Sequence, residues 1–349
     1  AQFTQAEHAV VTISGTSALH LALIAVGVGV DDEVILPALS FVSPANSIRY
    51  CGAWPTFVDI DLDTWQMDVD QVADFLRNGC HRDSDGILRN STTQRRVAAL
   101  MPVHLLGDMA DLGKLAQLAE EFDLPLIEDG AESLGAKWNG KPFGAPLPNE
   151  ERITRIACTS FNGNKIMTTG GGGALFTNCK KIAQLAKHLS TTAKTDVIEF
   201  DHDQVGYNYR MSNMAAALGV GQLNQLPQFI QRKQQIAQRY CEAFAHTPQI
   251  TATLKGSDNV DCSFWLYTIR CDRNSRDLLK YLGKLSIQTR PLWKVLSTLS
   301  YLDQCHVISD ENSHTLVDQA LSIPCSVGLT DEEQDSVIKG ILDFFKENP

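Results

Sequence analysis

Short apolar runs alternate along the first two-thirds of the chain with stretches in which apolar residues recur every third or fourth position. This predicts helices over residues 18–26, 44–50 and 112–122, and strands over 34–36, 56–60, 97–103 and 124–127. Strands that alternate with helices imply a mainly parallel sheet with helical cover, the α/β class. Residues 80–96 break the rhythm. They are polar and charged apart from Ile87 and Leu88, and read as an inserted hairpin or loop.

Residues 215–244 carry a long helical pattern that Pro227 is expected to break. Beyond it, a strand is expected over 265–270 and helices over 276–282 and 331–346. A chain of 349 residues exceeds the usual size of one domain. The pattern therefore predicts a large domain over 1–240 and a smaller carboxyl-terminal α/β domain over 241–349.

Chemistry concentrates in the run from Cys158 to Gly173, where Lys165 lies between small polar residues and four consecutive glycines. A lysine that forms a Schiff base needs reach, a lowered cost of losing its proton, and room for close backbone approach. Ser160, five positions earlier, could offer its hydroxyl to a phosphate. Read alone, a lysine in a polar turn is equally a solvated surface group. The second segment is Pro125 to Gly135. Its apolar run is expected to deliver Glu128 and Asp129 to the carboxyl end of a buried parallel strand, where open α/β sheets bind ligands. Asp129 there is either a ring-nitrogen partner for a cofactor or simply a helix cap or surface carboxylate. In the third segment a short apolar strand runs through Ser14, Gly15, Thr16 and Ser17 into an amphipathic helix. Such a helix start suits an anion, although these hydroxyls could serve only as caps.

With these segments in view, the chain resembles fold-type I pyridoxal-phosphate enzymes of the DegT/DnrJ/EryC1/StrS group of nucleotide-sugar aminotransferases. The likeness runs from about Phe3 to the carboxyl end. It rests on Ser14-Gly15-Thr16-Ser17-Ala18, Leu39-Ser40-Phe41-Val42, Pro102-Val103-His104-Leu105-Leu106-Gly107, Glu128-Asp129, Ser160-Phe161 with Lys165, and Gly206-Tyr207-Asn208-Tyr209-Arg210-Met211. The resemblance implies that Lys165 holds the cofactor as a Schiff base and moves the proton, and that Asp129 pairs with the pyridine nitrogen. It implies that Thr16, Ser17 and Ser160 hold the phosphate, that Phe41 and Ala131 pack on the two ring faces, and that Asn208 reaches the phosphate site of a partner in a homodimer with shared active sites. Phe41 would otherwise read as core and Asn208 as a turn residue.

The resemblance also implies an amino-terminal helix and loop before the position of Phe3. That arm is expected to be missing here. Residues 144–155 are longer and more charged than the matching turn, and are expected near the site entrance.

Composition narrows the function further. A net charge of −11 and a pI of about 5.3 exclude a general nucleic-acid or anionic-membrane binder, while leaving room for a local basic pocket. No apolar run reaches the roughly 18 residues of a spanning helix, and residues 1–8 have no basic start, so no membrane span or secretory leader is expected. Nine scattered cysteines without a C-x-x-C pair suggest reduced thiols in a cytoplasmic protein. The histidines show no metal-ligand spacing, so no metal is expected.

The expected activity is transfer of an amino group from glutamate to the keto carbon of a nucleotide-linked 4-keto-6-deoxy sugar. Within the group, the tetrad Asn162-Gly163-Asn164-Lys165 and the insertion after Cys80 look most like enzymes that aminate a UDP-linked 4-keto-6-deoxy-N-acetylhexosamine for legionaminic acid or bacillosamine-type sugars. A sugar dehydratase of the same fold is one alternative, opposed by Lys165, since those enzymes carry histidine there. A truncated, non-catalytic remnant is the other.

Overall fold

The computed structural model describes residues 1–148, 150–196, 198–253 and 259–348. Its centre is an eight-stranded sheet built from β1 (His8–Thr12), β2 (Glu33–Pro37), β3 (Trp54–Val58), β4 (Val97–Leu100), β5 (Leu126–Asp129), β6 (Arg155–Ser160), β7 (Gly173–Thr177) and β8 (His306–Val307), in the order β1-β7-β6-β5-β4-β2-β3-β8. Every pairing from β6 to β8 is parallel, and β7 runs antiparallel to both of its neighbours. The mainly parallel sheet expected from the alternation is therefore present. Strands β2, β5 and β6 are buried along their whole length, as strands covered on both faces must be.

Helix α1 (Gly15–Ala25) packs on the sheet and corrects one expectation. Ser17 to Leu23 are all buried, so the helix is enclosed nearly all round and not amphipathic. Helices α2 (Ser43–Tyr50), α3 (Leu112–Phe122) and α4 (Lys180–Ser190) add further cover. The apolar residues of α3 fall on one stripe, with Leu112, Leu115, Leu118 and Ala119 buried.

Helix α5 (Asn213–Phe244) runs unbroken through Pro227, which corrects the expected break. A proline removes one N–H, and the carbonyl it orphans belongs to Leu223, in a partly exposed turn that water can reach. The front of α5 is bare. Its first buried residue is Leu226, whereas Ile236, Ala237, Tyr240 and Phe244 at the rear pack into a second core. That core is shared with a small antiparallel sheet of Ile250–Thr253, Tyr267–Cys271, Ala320–Ile323 and Arg290–Pro291, and with α6 (Arg276–Lys284) and α7 (Asp331–Glu347).

The division expected at 240/241 falls near the end of α5, and the chain beyond it serves both sheets. His306–Val307 pairs with β3, and Val260–Asp261 pairs with Lys137–Trp138. The insertion forms the hairpin Cys80–Arg82 with Leu88–Asn90. It docks where Asn90 donates to Glu33 at 2.8 Å, at the head of β2. Among the described residues no helix is long and apolar enough to cross a membrane.

Candidate active site

The carboxyl ends of β5 and β6 lie side by side, with Asp129 level with Cys158 and Ser160 two residues further on. The start of α1 comes against them because residue 15 has no side chain. Gly173 makes the same allowance from β7, since a Cβ there would lie 2.5 Å from the Ser14 carbonyl. These segments enclose a cleft of about 310 Å³ lined by Gly15, Thr16, Phe41, Asp129, Ser160 and Lys165, among others.

Lys165 stands in a loop closed at its base by main-chain bonds from Phe161 to Gly172 and from Thr169 to Phe161. Its Nζ lies 3.4 Å from Glu132 Oε1 and 3.8 Å from the centre of the Trp265 ring. Asp129 is 4% exposed. Burial pushes its carboxyl up from the ordinary range, opposed by the Ala131 amide and by the charge of Lys165. Asp129 Oδ1 accepts the Ala131 N–H at 3.0 Å, and Oδ2 has no hydrogen-bond partner among the described residues. Burial also pushes Glu132 up, and the Lys165 charge opposes it. The second Glu132 oxygen accepts the Leu106 amide at 2.8 Å.

Behind this floor lies a buried polar network. His104 Nδ1 accepts the Ala110 amide at 3.1 Å, which leaves Nε2–H to donate to Glu128 at 3.0 Å. Arg155 binds Glu128 from the other side and donates to Glu150 at 2.8 Å. Burial works against the Glu128 charge, but Arg155 and His104 overcome it and hold the carboxyl down to about 2. Residues 150–155 therefore meet the head of β6, at the sheet end remote from the cleft. This corrects their expected place at the entrance; residue 149 lies outside the described residues.

Six of the eight residues singled out from the sequence line one cleft: Lys165, Asp129, Ala131, Thr16, Ser160 and Phe41. Phe41 is 49% exposed, so it is a wall of the cleft and not core. Ser17 turns away. Its amide donates to Ser14 Oγ at 3.0 Å and its hydroxyl meets the same atom at 2.8 Å, which caps α1. Asn208 is exposed, pairs with Thr191 and is not among the lining residues of its own chain's cleft. Sequence reasoning did not nominate Glu132, Trp265 or Trp293, which also line it. Glu132 follows Asp129 by three residues, a spacing that places both on one side of a turn. The two tryptophans come from the far part of the chain, and no local pattern marks them.

The cleft has the parts that pyridoxal phosphate requires. A buried carboxylate with one oxygen unpartnered suits a protonated ring nitrogen, and an amine stands in the same cleft. The amides of Gly15 and Thr16 at the start of α1 have no acceptor among the described residues and suit a phosphate. Fold and cleft together place the chain among the fold-type I pyridoxal-phosphate-dependent aminotransferases. More narrowly, it belongs to the DegT/DnrJ/EryC1/StrS aminotransferase family, whose model matches residues 1–342. It is 32% identical over 352 residues to GDP-perosamine synthase of Escherichia coli O157:H7, covering 99% of this chain and 88% of the relative. It is 32% identical over 338 residues to the putative pyridoxal phosphate-dependent aminotransferase EpsN of Bacillus subtilis, covering 95% and 82%. The PLP-form structure of the putative sugar aminotransferase Spr1654 from Streptococcus pneumoniae superposes with a TM-score of 0.85 at 25% identity, over 99% of this chain and 89% of the other.

Proposed function

We propose that the protein is a sugar aminotransferase that moves an amino group from glutamate to the keto carbon of a nucleotide-linked 4-keto-6-deoxy sugar. The observation that carries this reading is the pairing of Lys165 with the half-satisfied Asp129 in one cleft of a family whose relatives include GDP-perosamine synthases.

Pyridoxal phosphate, when bound, supplies an electron sink that acidifies the α-proton of the amino donor. Lys165 would hold the cofactor through Nζ; when released, the amine would take the α-proton of the donor in one half-reaction and give a proton to the acceptor's former keto carbon in the next. Its reach to Glu132 keeps the amine inside the cleft when it is released. Asp129 holds the positive charge on the ring nitrogen. Thr16 and Ser160, with the first amides of α1, take the phosphate, and Ser17 fixes the helix start that presents them. Phe41 and Ala131 bound the ring on its two faces.

The active unit in this reading is a homodimer in which Asn208 completes the partner's phosphate site. Support comes from the bare front of α5, where Met214 is 86% exposed and Leu218, Val220 and Leu223 add apolar surface; Val11 and Ile13 are exposed as well.

The nucleotide divides two versions of the substrate. The tetrad ending at Lys165 suggests a UDP-linked 4-keto-6-deoxy-N-acetylhexosamine, while the name GDP-perosamine synthase, said of the relatives, suggests a GDP-linked sugar. Incubation with glutamate and a panel of UDP-, GDP- and dTDP-linked keto-sugars tests the reading. Amination of one of them is expected, and turnover of none would overturn it. Borohydride reduction and peptide mapping should place the pyridoxyl group on Lys165; finding it on Lys137, Lys141 or Lys194 would sink the assignment.

A further inference from the structure

Lys233 lies in the rear half of α5 and is buried, at 6% exposure. An ammonium taken out of water needs an acceptor for each of its N–H groups. Here Nζ donates to the Trp265 carbonyl at 2.6 Å, to the Cys325 carbonyl at 2.8 Å and to the Cys325 sulfur at 3.4 Å. No carboxylate is within reach of it among the described residues. A lysine kept to balance charge would face an acid. This one faces two main-chain carbonyls from distant segments, an arrangement suited to fixing backbone in place.

The backbone it fixes belongs to Trp265. On the other side the same segment is bound to the turn at Leu106 and Gly107, where Ser263 N donates to the Gly107 carbonyl at 2.8 Å and Leu266 N to the Leu106 carbonyl at 3.4 Å. Gly107 has φ +99°, and a Cβ there would lie 2.5 Å from Trp265 N, so only glycine admits this approach. Held between α5 and that turn, Trp265 presents its ring 3.8 Å from Lys165 Nζ. Its indole N–H donates to the Asn164 carbonyl at 2.7 Å, next to Lys165 in the loop. Its other neighbour is Trp293, nearly parallel at an interplanar angle of 5° with ring centres 6.4 Å apart.

We infer that Lys233 is a positioning residue for Lys165, acting through Trp265: its hydrogen bond to the Trp265 carbonyl holds the indole face against the Lys165 amine. The ring restrains the amine by an attraction between ammonium and π-face and by covering it from solvent. Removing the Lys233 donors leaves the Trp265 carbonyl with only the longer contact from the Cys325 thiol at 3.7 Å, lets the indole leave its place beside Trp293, and exposes Nζ. The weight of this contact for catalysis rests on Lys165 as the cofactor-binding lysine. The test uses cofactor-free protein, so a failure there strikes this inference and leaves that assignment standing.

Lys233→Met and Trp265→Phe, singly and combined, are compared with the parent by two measurements. One is the circular-dichroism couplet of the stacked indole pair, with Trp293→Phe as its control. The other is the rate at which an amine-reactive reagent labels Lys165 at fixed pH, read by peptide mapping. Lys233→Met should lose most of the couplet and label Lys165 several-fold faster. Trp265→Phe should label at a similar rate, and the double variant no faster than either single one, because both act through the same contact. Lys233→Gln, which keeps one neutral donor, replaces Lys233→Met if that chain does not fold, and should show a partial loss of both signals. A lowered melting temperature with the couplet and labelling rate of the parent would overturn the inference, as would labelling effects that multiply in the double variant.

Discussion

A Cβ placed on Gly15 would stand 2.8 Å from the Ser160 Cβ and 3.3 Å from its Oγ, so the start of α1 and the end of β6 touch as closely as a missing side chain allows. Gly15→Ala should push the helix start away from Ser160 and split the phosphate cradle. Cofactor affinity should fall tenfold or more, about 1.4 kcal/mol, with a smaller change in thermal stability. Fluorescence titration of the cofactor-free protein measures it, and an unchanged Kd would reduce the contact to packing.

Asp129→Ala removes the carboxylate that faces the cleft with one oxygen unpartnered. The single-turnover half-reaction with glutamate should slow by roughly 10²–10³-fold, while the phosphate contacts still retain cofactor. A rate within a few-fold of the parent would make Asp129 a structural residue.

Asp108 gives a pH signature of its own. Burial pushes its carboxyl up to about 7, against the Met109 amide that it accepts. The unfolded chain releases this proton in the ordinary carboxylate range near 4, so between there and about 7 the folded state binds more protons. Stability contributed here is therefore present at low pH, falls as pH rises through that window, and levels off above it. The loss is on the order of 4 kcal/mol. Asp108→Asn should flatten the slope and be the more stable protein at pH 8 in urea titrations. A parent-like slope in the variant would assign the pH dependence elsewhere.

Glu128 has the opposite sign. Its carboxyl is held to about 2 by Arg155 and His104 against the penalty of burial. Its contribution is present above the ordinary carboxylate range and is lost as pH falls toward 2. Arg155→Met strands that charge and should destabilise the fold by roughly 3–5 kcal/mol, measurable as a lower denaturation midpoint at pH 7. Arg155→Met combined with Glu128→Gln, which removes the charge and keeps an acceptor for the His104 Nε2–H, should recover much of the loss. If it recovers nothing, the pair contributes through packing alone.

Mixing inactive Lys165→Ala and Asn208→Ala chains tests the shared site. A hybrid dimer has one cleft with both residues intact, and part of the activity should return. Verified subunit exchange without recovery, or an active species that sediments as a monomer, would rule out sharing.

What the sequence revealed and what it hid follow from range. Residues 112–122 were expected as a helix and form one between the same bounds, because their apolar stripe and the capping Asp111 are local. Asp129 was placed at the end of a strand for the same reason, whereas the strand that ends at Ser160 was not expected. The glycine run was read as allowing close backbone approach, and Gly173 at the head of β7 is glycine because the Ser14 carbonyl lies where a side chain would go. Pro227 was read as a break because the tertiary packing that holds the rear of α5 leaves no trace in the spacing around the proline. Trp265 reaches the amine, and Trp293 the cleft, only through the folded path of the chain, and no window of sequence joins them to Lys165.

Helix α5 has one further consequence. At 32 residues it is a rod about 48 Å long, with its uncovered front at one end and the small sheet's core at the other. A rod without a joint acts as a lever. Its Gln222 accepts the Thr168 amide at 3.3 Å and its Lys233 donates to the Trp265 carbonyl at 2.6 Å, so a single rod bears on the Lys165 amine from two sides.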